Sequence, residues 1–167
     1  MTNCKYISLT RISFFGLFAF SLLFMGCSWM THFYIANHTD DEVVVEIRLS
    51  EEELRFPIFY YAQHYYHTYQ LVDMNKKGRI LHETKEALEV DTLDGFGHCK
   101  ITIPSGKALE FGVLNNDYYE HYQQDFINDR KFNLISLSFS NGKAPIKPEN
   151  FDDAITKKDG SVFVLVE

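Results

Sequence analysis

Cysteine is scarce in this chain: Cys4, Cys27 and Cys99 are the only three in 167 residues. That count excludes a disulfide-stapled scaffold, which needs four or more closely spaced half-cystines. Positive charge is short as well, with 16 Lys and Arg against 23 Asp and Glu. A basic face for nucleic acid is therefore not expected, and no nucleic acid is assigned as a partner. The sequence holds no Gly-x-Ser-x-Gly elbow, no phosphate-cradling glycine loop and no dinucleotide fingerprint. No cofactor is implied, and an enzyme is not the expected class. Four prolines and nine glycines are too dispersed to mark a linker or a low-complexity tail, so a single domain is expected.

What the chain does have is one long apolar run near its start. Ile12 to Met25 spans 14 residues, broken only by Ser13, Gly16 and Ser21, and it follows Lys5 and Arg11. A membrane span needs about 20 apolar residues, so the run reads as the core of an N-terminal signal helix. It closes on Leu23-Phe24-Met25-Gly26-Cys27-Ser28. This close resembles the lipobox of bacterial lipoproteins, where a small residue precedes a cysteine that receives a diacylglyceryl group before the peptide is cut in front of it. Gly26 and Cys27 match, while Phe24 stands where leucine is usual and Leu23 lies one place further back.

The resemblance implies a signal peptide over 1–26, a lipidated Cys27, a short tether over 27–31 and a folded domain over 32–167. It also implies that Cys99 has no intramolecular partner, and a lone cysteine beside Ile101 and Ile103 is expected to be buried. Removing the leader takes away two positive charges and no negative ones, so the net charge moves from −7 to −9. Ser28 stands where aspartate retains some lipoproteins in the inner membrane. By that analogy the protein is placed in the cell envelope, on the outer membrane, facing the periplasm or the exterior. The alternative is an uncleaved anchor running on through Trp29 and Met30.

The body reads as short strands. Phe33 to Ala36 and Val43 to Leu49 flank Asn37-His38-Thr39-Asp40-Asp41, and the second run alternates so that Val43, Val45, Ile47 and Leu49 share one face. A hairpin is expected there, a second around Asn75-Lys76-Lys77-Gly78, and a third in which Cys99 to Ile103 and Ala108 to Val113 bracket Pro104-Ser105-Gly106. Phe132 to Ser140 alternates up to Asn141-Gly142, and Ser161 to Val166 is nearly continuously apolar, as in a strand covered on both faces. Asp117, Glu120, Tyr118, Tyr122 and Phe126 have capping-box and four-residue spacing, which predicts one short helix near 117–128. A further helical turn is expected within 148–155. The predicted class is mainly β, an antiparallel β-sandwich. The opening run from Phe33 to Ile47 and the segment from Ile101 to Val113 resemble the immunoglobulin-like domains of small exported lipoproteins; that likeness implies architecture and transfers no active site.

The densest chemistry lies in residues 56–69, with seven aromatic rings and two histidines. Tyr60, Tyr61, His64, Tyr65 and Tyr66 are the candidate ligand-binding residues, because exposed tyrosine faces stack on sugar rings while their hydroxyls hydrogen-bond. The competing reading puts those rings in the core. His64 and His67 would need further ligands for a metal and have none nearby, so no metal is assigned. Asn37-His38-Thr39 also fits an N-glycosylation acceptor. The leading functional expectation is a non-catalytic, lipid-anchored envelope lipoprotein that binds an envelope protein or glycan as an accessory or assembly component. A carbohydrate-binding module built on the 56–69 segment and a small envelope hydrolase are the alternatives.

Overall fold

The alternation from Val43 to Leu49 becomes a strand with its odd-numbered residues buried and Glu46 and Arg48 turned toward water. The computed structural model describes residues 29–50, 57–62, 68–90, 92–93, 95–116, 118–120 and 132–167. Among them are nine strands: β1 (Met30–Asn37), β2 (Val43–Leu49), β3 (Gln70–Asp73), β4 (Glu86–Ala87), β5 (His98–Ile103), β6 (Lys107–Asn115), β7 (Leu134–Phe139), β8 (Ile155–Lys158) and β9 (Ser161–Val166). They form a six-stranded sheet in the order β4-β3-β6-β1-β9-β8 and a three-stranded sheet in the order β5-β2-β7. Neighbours are antiparallel except β1 and β9, which run parallel, so the expectation of a wholly antiparallel arrangement is corrected at that pair.

Both sheets contribute to one core. Phe33 and Ile35 of β1, Phe111 of β6 and Val164 of β9 are buried together with Val45, Ile47, Ile101, Ile103 and Leu137 of the smaller sheet. At its centre Phe59 stacks on Phe111 and meets Phe33, Phe132 and Phe151 edge-on. Each such ring contributes roughly 1.5–3 kcal/mol by leaving water. A second apolar cluster lies on the far side of the larger sheet, where Tyr34, Ala36, Val72, Ala108 and Phe163 are joined by Met74, Ile80 and Leu165. This explains the unbroken apolarity of β9: Val162 and Val164 enter the shared core while Phe163 enters the second cluster.

Two of the expected hairpins do not form. β1 and β2 lie in different sheets, as do β5 and β6, although both connections carry turn residues. Each connection is a corner. β1 pairs with β6 in one sheet while β2 pairs with β5 in the other, so the two corners lie side by side. Asn37, fully buried, joins them: its side-chain nitrogen donates to the carbonyls of Asp41 and Ile103, and its oxygen accepts from the backbone and hydroxyl of Thr39. Gly106 N donates to Asn37 O, and Ser105 Oγ donates to Thr39 O. Every hydrogen-bonding position of the Asn37 amide is thus in use, so the Asn37-His38-Thr39 tripeptide serves the corner and does not present its amide to a glycan.

The Asn75–Gly78 loop turns as expected, with Gly78 at φ +68° and a bridge between Met74 and Ile80. Its second arm is not a regular strand. Thr84 Oγ1 accepts from Asp73 N in place of a strand carbonyl, and His82–Thr84 curl into a 3-10 turn. The expected helical turn within 148–155 appears as two 3-10 turns, Pro148–Asn150 and Asp152–Ala154. β8 and β9 then form a hairpin on Asp159-Gly160, both with positive φ, the turn chemistry that matches strand twist. The helix expected near 117–128 lies mostly outside the described residues; Tyr118, Tyr119 and Glu120 are not helical.

Candidate functional site

The aromatic segment is anchored by two close approaches to the larger sheet. Tyr60 N donates to Phe111 O, and Val113 N donates to Ile58 O, so residues 58–60 extend the edge of β6 beyond the end of β3. Gly112 makes this contact feasible, because a Cβ there would stand 2.7 Å from Ile58 O and 2.8 Å from a Phe59 ring carbon. On the other side Asn133, also buried, accepts from Phe59 N and donates to Phe59 O. Tyr60 and Tyr61 are therefore 7% and 6% exposed, and they present no open face for a sugar ring. Tyr61 donates its hydroxyl to Ser50 O and meets Phe96 edge-on. His64, Tyr65, Tyr66 and His67 lie outside the described residues, as does Cys27. Among the described residues no group of three metal-ligating side chains comes together.

The Tyr60 hydroxyl leads to the most concentrated polar chemistry in the fold. It donates to Glu110 Oε1 at 3.1 Å, the same oxygen that faces His32 Nδ1 at 3.1 Å, while Lys85 Nζ donates to Oε2. Glu110 is 3% exposed in the middle of β6. A shift of register between Phe33 and Tyr34 brings Glu110 opposite Tyr34 on β1, the usual way a bulge re-aims a side chain. Burial pushes the Glu110 carboxyl up, but the hydrogen bonds from His32 and Lys85 more than reverse this and leave it at about 2. An ionised carboxylate only accepts, so His32 Nδ1 carries the hydrogen between them. Tyr34 and Tyr60 are both pushed far up by burial and then by the Glu110 charge, and they stay protonated. The Tyr34 hydroxyl is buried without a hydrogen-bond partner.

Beyond His32 the cluster opens toward a surface groove. The His82 ring lies 6.3 Å from that of His32, and His82 lines a hollow of about 330 Å³ with Arg79, Ile80, Lys158, Ser161 and Phe163. The chemical capacity of the arrangement is limited. Glu110 is ionised at every ordinary pH, so it cannot deliver a proton, and a carboxylate at about 2 is a feeble base. It acts as a fixed charge that holds β1, β6, the 58–61 segment and the 74–87 connection together. No protein family, curated protein or solved structure matches this chain.

Tyr60 and Tyr61 are buried, as the core reading of the 56–69 rings has it, while Glu110, His32 and Lys85 carry no motif in the sequence. One signal was available: Glu110 is the only charged residue in the apolar run from Ala108 to Val113. An acid inside a strand that is buried on both sides must have partners, and these lie 78, 50 and 25 residues away.

Proposed function

We propose that the protein is a lipid-anchored lipoprotein of the cell envelope, with a non-catalytic binding or assembly role. The observation that carries this reading is the order of features at the start of the chain. A basic and apolar leader ends in Gly26-Cys27, and the first strand begins three residues later, at Met30. On this reading the mature protein starts at Cys27, is held by lipid in the outer membrane facing the periplasm or exterior, and displays one β-sandwich of immunoglobulin-like kind. Two sheets that share a core through corner connections support that architecture.

The chemistry of the Glu110 cluster favours binding over catalysis, since the carboxylate is held ionised and the Tyr34 and Tyr60 hydroxyls are held protonated. Radiolabelled palmitate should enter the protein in cells and be absent from a Cys27→Ala variant. Equal labelling of the two would sink the anchor.

A further inference from the structure

One end of the molecule is fixed by the strand pairings. Met30 at the start of β1 is opposite Asn115 at the end of β6, and Asn116 N donates to Trp29 O. β9 runs parallel to β1, so the Asp159-Gly160 turn that precedes it comes to the same end. The large apolar residues exposed here are Trp29 at 45%, Met30 at 52% and Tyr118 at 59%. Trp29 and Tyr118 are stacked, with centroids 5.6 Å apart and ring planes within 14°. Beside them Thr31, Tyr119, Lys157 and Lys158 border a hollow of about 340 Å³.

We propose that this end is a membrane-contact face, with the stacked Trp29 and Tyr118 rings seated among the lipid headgroups of the bilayer that holds Cys27. The inference rests on the lipid anchor proposed above, and chain length gives the reason. Two residue steps separate Cys27 from Trp29, so their Cα atoms are no more than about 7 Å apart. A diacylglyceryl thioether fixes the cysteine near the boundary of the hydrocarbon, and the polar zone above it is about 5–8 Å deep. Trp29 is therefore held within or at the edge of that zone while the anchor is inserted. Tryptophan and tyrosine are the side chains best suited to it, having an apolar body and one hydrogen-bonding tip. Lys158 is exposed and has the reach to meet a lipid phosphate. Lys157 is already engaged, donating to Glu120 O and lying 5.3 Å from the centre of the Tyr119 ring. Asp159 and Glu120 offset the two lysines at this end, so the contact depends on the rings and not on net charge, and salt should leave it in place.

Trp29 is the sole tryptophan, so intrinsic fluorescence reports this face alone. The acylated full-length product, reconstituted in phosphatidylcholine vesicles, should lose most of its Trp29 emission when the acyl chains carry bromine. Iodide in the water should quench it little, and high salt should change neither result. A Tyr118→Ser variant should be quenched less by bromine. An acylated protein whose emission ignores brominated lipid and is quenched freely by iodide would overturn the proposal. Failure of the anchor shows separately, as absence of the palmitate label. An unlabelled protein still quenched by brominated vesicles keeps the face and loses the anchor, whereas one left unquenched loses both.

Discussion

The outer faces of the two sheets hold the same chemistry in different surroundings. On the larger sheet Glu110 meets His32, Lys85 and Tyr60 with only 5% of its side chain exposed. On the smaller sheet Glu46 meets His98, Arg48 and Lys100 with 23% exposed. Hydrogen bonds, from His98 first, bring Glu46 to about 2 as well. The difference lies in cover. The 74–87 connection folds across the larger sheet and brings Met74, Ile80 and Lys85 onto it, whereas β2 and β5 keep strict alternation with a wet outer side. A cluster under cover fixes the arrangement of chain segments; one in water mostly adds solubility.

The sharpest break in this comparison is a pair of alanine variants. Glu110→Ala should cost about 3 kcal/mol, near the lower end for breaking a buried ion pair because Lys85 can still reach water. Glu46→Ala should cost less than about 1 kcal/mol, as exposed pairs do. Urea unfolding of the chain lacking residues 1–27 measures both, and equal losses would erase the distinction.

Acid gives the same contrast without substitution. Glu110 is held at about 2 against an ordinary 4.5, so its contribution is complete above pH 4.5 and is lost as pH falls toward and through 2. Glu110→Gln should flatten the fall in stability across that window, and Glu46→Gln should flatten it less because water already screens Glu46. An unchanged acid slope in Glu110→Gln would mean that the fold does not hold this carboxyl below its ordinary value.

Asn37→Asp tests the corner that joins the two sheets. It replaces two donors aimed at the Asp41 and Ile103 carbonyls with acceptors, and should cost about 2 kcal/mol in the same urea measurement. A near-neutral result would show that the corners do not depend on it. The smallest expected effect is a gain: Tyr34→Phe removes a buried hydroxyl that has no partner and should stabilise by roughly 1 kcal/mol. Tyr60→Phe, which deletes a donor to Glu110, should destabilise instead, so opposite signs from two neighbouring tyrosines are the outcome to look for.

Individual strands were legible in the sequence, and their partners were not. Val43 to Leu49, Leu134 to Phe139 and Ser161 to Val166 declare themselves through period and turn residues, because those signals are local. Whether a turn folds a hairpin or passes the chain to another sheet depends on distant contacts. Asn37 looks like an ordinary turn residue until Ile103, 66 positions away, is placed against it. The burial of Cys99 is legible too, since a small apolar side chain between alternating apolar neighbours needs no distant information; it is 1% exposed, with its thiol 3.6 Å from Tyr69 Oη. The aromatic density of 56–69 was equally visible, but composition cannot tell a ring that packs from one that waits for a ligand. Gly112 and Asn133 decide that for Tyr60 and Tyr61, and both lie far along the chain.

The parallel pairing of β1 with β9 has a consequence in time. β1 lies inside the larger sheet, and its second neighbour arrives only with residues 162–166, some 130 positions after β1 itself. Until that last strand emerges from the ribosome, β1 has one side unpaired, and contacts at such separation form slowly. The seam between β1 and β9 is therefore the part of the larger sheet that closes last during synthesis.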